Sequence, residues 1–313
     1  MPARIVFMGS PEYAVPCLEA LHEHYPAILV ITQPDQKQGR GREICISPVK
    51  EAALSRQLDI WQPVSLRTKT AIQRLEDFQP DLYVTAAIGH ILTPEILEIP
   101  VHGCINVHAS LLPRWRGAAP ISAAILHGDS ETGVTLMKTD PGLDTGPILA
   151  QTRCPVEPHD TAVTLTARLA RLGADLLIAT LPHWLAGEIV PQPQPAEGAT
   201  YCRRLEKQDG EIDWRQPAAL IERMIRAYTP WPGAYTFYRG QQLNVLRARV
   251  FAKERREYAP GTVLALNGNV AVQTGKGALV LQTVQLAGKR TLDIDVFCRG
   301  QRDLIGARLG SGI

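Results

Sequence analysis

Apolar residues in the first half of the chain gather in short runs at 4–8, 27–32, 81–87, 104–108, 133–138 and 147–152. Runs this short, rich in β-branched residues, read as strands. Between them, 13–24, 49–57, 68–78 and 118–127 space their apolar residues three and four apart, as helices with one buried stripe do. Strand and helix in alternation predict an α/β domain built on a doubly wound, Rossmann-like, mostly parallel sheet. A longer helix, rich in Ala and Leu, is predicted over 161–187.

Behind that helix the pattern breaks. Ile189-Val-Pro-Gln-Pro-Gln-Pro-Ala-Glu-Gly198 alternates three prolines with other residues. Such a segment cannot continue a helix and forms an extended, stiff connector. It divides the chain into a first domain over 1–188, a Pro-rich linker over 189–205 and a second domain over 206–313. After a helix at 218–227 the period shortens toward two, at 234–238, 243–250, 261–266, 270–273 and 278–285. Short strands with Gly-bearing turns predict a smaller β-barrel of OB-like kind, which leaves few exposed edges.

Charge sharpens this division. The chain of 313 residues carries a formal net charge of only +2. Residues 1–200 hold 15 Lys and Arg against 21 Asp and Glu, a net of −6, whereas residues 201–313 hold 18 against 10, a net of +8. A basic second domain suggests a polyanionic partner; a solvated basic surface is the plainer alternative.

Several classes are excluded. No run of 18 apolar residues exists, so no membrane span is expected. The six cysteines form no C-x-x-C, which argues against a zinc ribbon, and no metal is expected. The chain opens Met-Pro-Ala-Arg straight into a strand-like run, so a cytoplasmic location with reduced thiols is expected. Gly9 ends the first strand alone, without G-x-G-x-x-G, which argues against NAD or FAD.

The chemistry concentrates where the fourth run ends, in Asn106-Val-His108-Ala-Ser110-Leu111-Leu112-Pro113-Arg-Trp-Arg116-Gly-Ala-Ala-Pro120. Alternate residues of a strand share a face. Asn106, His108 and Ser110 therefore point into one space at a strand end, where open α/β sheets hold their ligands. Farther on, Asp140-Pro-Gly-Leu-Asp144-Thr-Gly146 supplies an acid in a Gly-rich loop. An amide, an imidazole and a carboxylate together suit acyl transfer: the amide steadies an oxyanion, the ring takes a proton and the acid orients the ring. The polar stretch Pro34-Asp-Gln-Lys37-Gln-Gly-Arg40-Gly-Arg42 offers cations able to grip phosphates; a solvated surface loop is again the plainer alternative.

The block N-V-H-x-S-L-L-P-x-x-R-G-x-x-P with a later G-L-D-T-G resembles the folate-dependent formyltransferases. Further matching pieces are Thr32-Gln-Pro-Asp35, Gly39-Arg-Gly-Arg42, Ser47-Pro-Val-Lys50, Gln62-Pro-Val-Ser-Leu66, Glu131-Thr-Gly-Val-Thr135 and Pro230-Trp-Pro232. They reach from residue 5 to about 290 and are most similar to the members acting on methionyl-tRNA. The resemblance implies that Asn106, His108 and Asp144 are catalytic, with His108 either taking the proton shed by the amine or helping to hold the oxyanion, and Asp144 orienting the ring and favouring its charged form. It implies that Ser110, Leu111, Leu112, Pro113, Ile88 and Gly89 contact the folate, and that Lys37, Arg40 and Arg42 contact tRNA. The donor implied is 10-formyltetrahydrofolate; the acceptor is the α-amine of methionine on initiator tRNA, with the protein a monomer. Further phosphate contacts implied are Arg203, Arg204, Arg247, Arg249, Lys253, Arg255, Arg256, Lys289 and Arg290. Two positions depart from the family pattern: Ala109 stands where glycine is usual, and Ile88 where a tyrosine commonly precedes the glycine. Formyl transfer to a small amine, such as an amino-sugar nucleotide, and RNA binding without catalysis are the alternatives.

Overall fold

A computed structural model describes residues 3–38, 43–89, 92–251 and 258–310. The chain divides into two compact units. The first comprises Met1–Pro120, Glu131–Pro155 and Thr166–Arg203; the second comprises Ile121–Ser130, Val156–Leu165 and Arg204–Ile313.

The first unit is built on seven strands: β1 Arg4–Gly9, β2 Ala27–Ile31, β3 Asp59–Trp61, β4 Leu82–Ala86, β5 Cys104–His108, β6 Glu131–Lys138 and β7 Ile148–Pro155. They lie in the order β7-β6-β5-β4-β1-β2-β3. Pairs from β3 through β5 are parallel, while β6 and β7 run antiparallel on one edge. The central strands β1 and β4 are buried almost end to end, as strands covered on both faces must be. The chain leaves β1 toward β2 and β3, then returns to β4 on its other side. The carboxyl ends of β1 and β4 thus flank the reversal of strand order, where such sheets bind ligands. The three-residue edge strand β3 is too short to leave a periodic signal in sequence. One helix, Ala162–Leu185, carries Gly173 where a Cβ would lie 2.9 Å from Val107 Cγ1, so the helix backbone seats directly on β5.

The second unit has a helix at Ala218–Ala227 and the strands β8 Tyr235–Tyr238, β9 Gln241–Phe251, β10 Val263–Leu266, β11 Asn269–Gln273 and β12 Ala278–Leu286. The order is β8-β9-β12-β11-β10, antiparallel throughout. The tight turn Asn267-Gly268 puts both residues in left-handed backbone, which matches the twist of a two-residue hairpin. Trp214, Leu243, Val245, Leu281, Phe297, Leu304 and Leu309 fill the inside of the curl. The end of the chain closes it. Gly306 N–H donates to Val263 O and Leu309 N–H to Gly261 O, both at 2.8 Å, along one edge of the sheet. Gly310 N–H donates to Phe237 O at 3.0 Å on the other edge. The barrel expected from the strand pattern is thus a curled antiparallel sheet whose gap the terminal residues fill.

Among the described residues no helix is long and apolar enough to cross a membrane, and no group of three or more His, Cys, Asp or Glu could hold a metal ion. The six cysteines are free thiols.

Candidate active site

Strand β5 delivers Asn106 and His108 on one face, and the loop after β6 returns Asp144 to them. The return is tight: a Cβ on Gly146 would sit 1.8 Å from Lys138 O, so only glycine lets the loop close there. Thr145 Oγ1 donates to the Asp140 carboxylate, and Asp140 also accepts Gly142 N–H at 3.1 Å. Asp144 itself is left-handed, with φ 51°.

Each orientation at the site has a named partner. Thr85 on β4 donates its hydroxyl to Asn106 Oδ1 at 3.1 Å. The amide nitrogen therefore faces the other way, where it donates to Asp144 Oδ1 at 3.4 Å. Gly117 N–H donates to Asp144 Oδ2 at 2.8 Å. His108 Nε2 lies 3.0 Å from Trp115 O. A carbonyl only accepts, so Nε2 carries the hydrogen of the neutral ring and Nδ1 carries the lone pair. That lone pair faces Asp144 Oδ2 at 3.7 Å, too long for a hydrogen bond but close enough to feel the charge. The sequence-derived expectation has Asp144 favouring the charged ring. It does pull the pKa of His108 upward, as does the Trp115 carbonyl, but burial outweighs both and leaves the pKa lowered. The ring is a neutral base at neutral pH.

Asn106, His108 and Asp144 thus come together. Ser110 is fully buried, its hydroxyl donating to Arg114 O at 2.6 Å, and its carbonyl accepting Thr135 Oγ1 at 2.7 Å. Leu112 is buried in the same turn, while Leu111 and Pro113 are half-buried. Ala109 lies outside the left-handed region, so alanine in place of the usual glycine strains nothing. Ile88 packs against the core of Val6, Met8 and Tyr83, and Gly89 is exposed at the end of β4. Lys37 belongs to a short strand, Gln36–Gln38, paired with Glu43–Cys45. Arg40 and Arg42 lie outside the described residues, as do Lys253, Arg255 and Arg256. Arg203, Arg204, Arg247, Arg249, Lys289 and Arg290 are exposed, and Arg249 donates to Asn269 Oδ1 at 3.2 Å.

Sequence reasoning missed Thr85 and Trp115. Thr85 had a weak signal, a lone threonine in the apolar run Leu82-Tyr-Val-Thr-Ala86. Trp115 acts through its backbone carbonyl and left none.

Residues 3–181 match the formyl transferase model and residues 204–302 the model of the formyl transferase C-terminal domain. The chain belongs to the formyl transferase family. Among this family, the methionyl-tRNA formyltransferase of Myxococcus xanthus (strain DK1622) is 48% identical over 300 residues, covering 96% of this chain and 95% of the relative. That of Roseiflexus sp. (strain RS-1) is 47% identical over 312 residues, covering 99% and 96%. A solved formyl transferase, the N-formyltransferase from Helicobacter canadensis with folinic acid and dTDP-3-aminofucose, shares the fold. Its TM-score is 0.65 at 18% identity, covering 90% of this chain and 99% of that one.

Proposed function

We propose that this chain transfers the formyl group of 10-formyltetrahydrofolate to the α-amino group of initiator methionyl-tRNA. One observation supports the chemistry: the Asn106 amide, the lone pair of His108 Nδ1 and the Asp144 carboxylate meet in one place. The near full-length identity to relatives named for methionyl-tRNA supports the acceptor.

The amine attacks the formyl carbon, and a new C–N bond forms as the carbonyl oxygen takes negative charge. One N–H of Asn106 is committed to Asp144; the other donates to that oxygen. His108 Nδ1 takes the proton the amine sheds, and the imidazolium pairs with Asp144. Collapse breaks the bond from the formyl carbon to N10 of the folate, and N10 takes the proton from the His108 imidazolium as it leaves, which returns the ring to its neutral form. The adjacent ends of β4 and β5, with Ile88, Gly89, Leu111 and Pro113 reachable from solvent and Ser110 and Leu112 shaping the turn from inside, form the donor's seat. Lys37, Arg40 and Arg42, with the exposed cations of the second domain, hold the tRNA backbone. Such contacts supply affinity without sequence choice. The boundaries 1–188, 189–205 and 206–313 assign catalysis to the first domain and tRNA binding to the last, all within a monomer in the cytoplasm.

The test is direct. The protein is mixed with 10-formyltetrahydrofolate and either charged methionyl-tRNA or a UDP-amino-sugar. Formyl on the methionine amine is expected; formyl on the sugar overturns the reading.

A further inference from the structure

The stretch between the two domains reads in sequence as a connector, yet part of it reaches the reacting groups. Gln192 exchanges both backbone hydrogen bonds with Ile148 of β7, at 2.7 and 2.8 Å. Two residues on, the Gln194 side chain donates from Nε2 to Asp144 O at 2.8 Å and to Gly146 O at 2.7 Å. Its Oε1 accepts both Nε and Nη2 of Arg116, at 3.0 and 2.7 Å. Arg116 is 7% exposed. One amide therefore joins the loop that carries Asp144 to Arg116, the residue beside Gly117, whose N–H holds the Asp144 carboxylate. Only an amide fits all four bonds, since two partners are carbonyls and two are guanidinium donors.

We propose that Gln194 is a positioning residue for the catalytic site: it holds the Asp144 loop so that the carboxylate faces both His108 Nδ1 and the Asn106 amide. The proposal rests on the site assignment made above. It extends the catalytic unit into the Pro-rich stretch.

The charged group facing the His108 ring is Asp144. The thiol of Cys202 donates to the same Trp115 carbonyl as the ring, and burial raises its pKa, so it stays neutral. Loosening the Asp144 loop removes the charge that holds the ring's pKa up, and the pKa falls further.

Gln194→Glu keeps the shape and the Arg116 partner but turns two donors into repelled oxygens. Gln194→Ala removes both halves. Gln192→Ala is the control, because that exposed side chain donates only to Val190 O within the same stretch. Both Gln194 variants are expected to lower kcat by about 100-fold, the effect of misplacing a reacting group by an ångström, with KM for tRNA little changed. NMR titration of the His108 ring should show a midpoint below that of the wild type in Gln194→Ala, which introduces no charge of its own, and an unchanged one in Gln192→Ala. The NMR readout needs no substrate, so it stands even where the assigned acceptor is wrong. A Gln194→Ala protein with a wild-type ring midpoint and wild-type kcat overturns the proposal. So does a loss of activity that only follows a lower Tm, with the midpoint unmoved.

Discussion

Thr85 donates its hydroxyl hydrogen to Asn106 Oδ1 across 3.1 Å and, with the acceptor-only Asp144 carboxylate on the other side, sets which end of the Asn106 amide faces the reacting space. Thr85 is 2% exposed, one of few polar side chains buried at the sheet centre. Thr85→Val keeps the volume and removes the donor, leaving the amide free to turn. A fall of about tenfold in kcat is expected, near 1.4 kcal/mol in the barrier, with Thr85→Ser close to wild type. Steady-state kinetics of the two variants side by side check this; equal activity in both removes the orienting role.

Asn106→Ala deletes the oxyanion donor itself. The loss expected is larger, roughly 3 kcal/mol or 10²–10³ in kcat, with a folded protein by circular dichroism. A variant that loses folate affinity and keeps kcat places Asn106 on the donor and not on the transition state.

His108 sets a pH dependence whose sign follows from its lowered pKa. In the folded chain the ring takes its proton below the ordinary value near 6.5; in the unfolded chain it does so near 6.5. Between those two pH values the unfolded state binds more protons, so stability rises with pH. The contribution is complete above about 6.5 and is lost as pH falls beneath it. Urea denaturation at pH 5 and 7 should show the wild type losing more stability at the lower pH than His108→Gln does. Equal losses contradict the assignment.

Gly173 seats its helix on β5 through the contact to Val107. Glycine to alanine in a helix ordinarily stabilises by about 1 kcal/mol, but here the new methyl meets a buried β-branched side chain, and overpacking costs about 1–3 kcal/mol. Gly173→Ala is expected to be net destabilising in urea titration, and to lower kcat because Val107 lies between Asn106 and His108. A more stable variant refutes the packing argument.

Leu309, 2% exposed, anchors the closing tail of the second unit. Leu309→Ala should cost about 3 kcal/mol through the cavity it leaves. Binding to tRNA should weaken at temperatures where catalytic-unit probes are unchanged. If denaturation is unaffected, the tail does not close the sheet in solution.

Arg40→Ala is expected to raise KM for tRNA and leave that for folate unchanged. Overall tRNA affinity should fall linearly in log salt, as release of counterions requires. A rise in the folate KM instead, or a flat salt response, moves the basic residues away from the acceptor.

Much of this protein is written in local pattern. The apolar runs at 4–8, 81–87 and 104–108 point to buried strands because they are short and β-branched, and the helix at 218–227 follows from its spacing. Asn106, His108 and Asp144 were legible as residue types at a strand end and in a Gly-rich loop. What local pattern cannot hold is direction. Which nitrogen of His108 bears the hydrogen depends on the carbonyl of left-handed Trp115, φ 61°. Which end of Asn106 faces outward depends on a hydroxyl 21 residues away. The aim of Asp144 depends on Gln194, 50 residues farther along. The lowered pKa of His108 is burial overcoming a neighbouring charge, and burial belongs to the packed sheet and not to any stretch of chain. Composition and periodicity decide which surfaces leave water; only the assembled structure decides which polar atoms are left facing one another once they have.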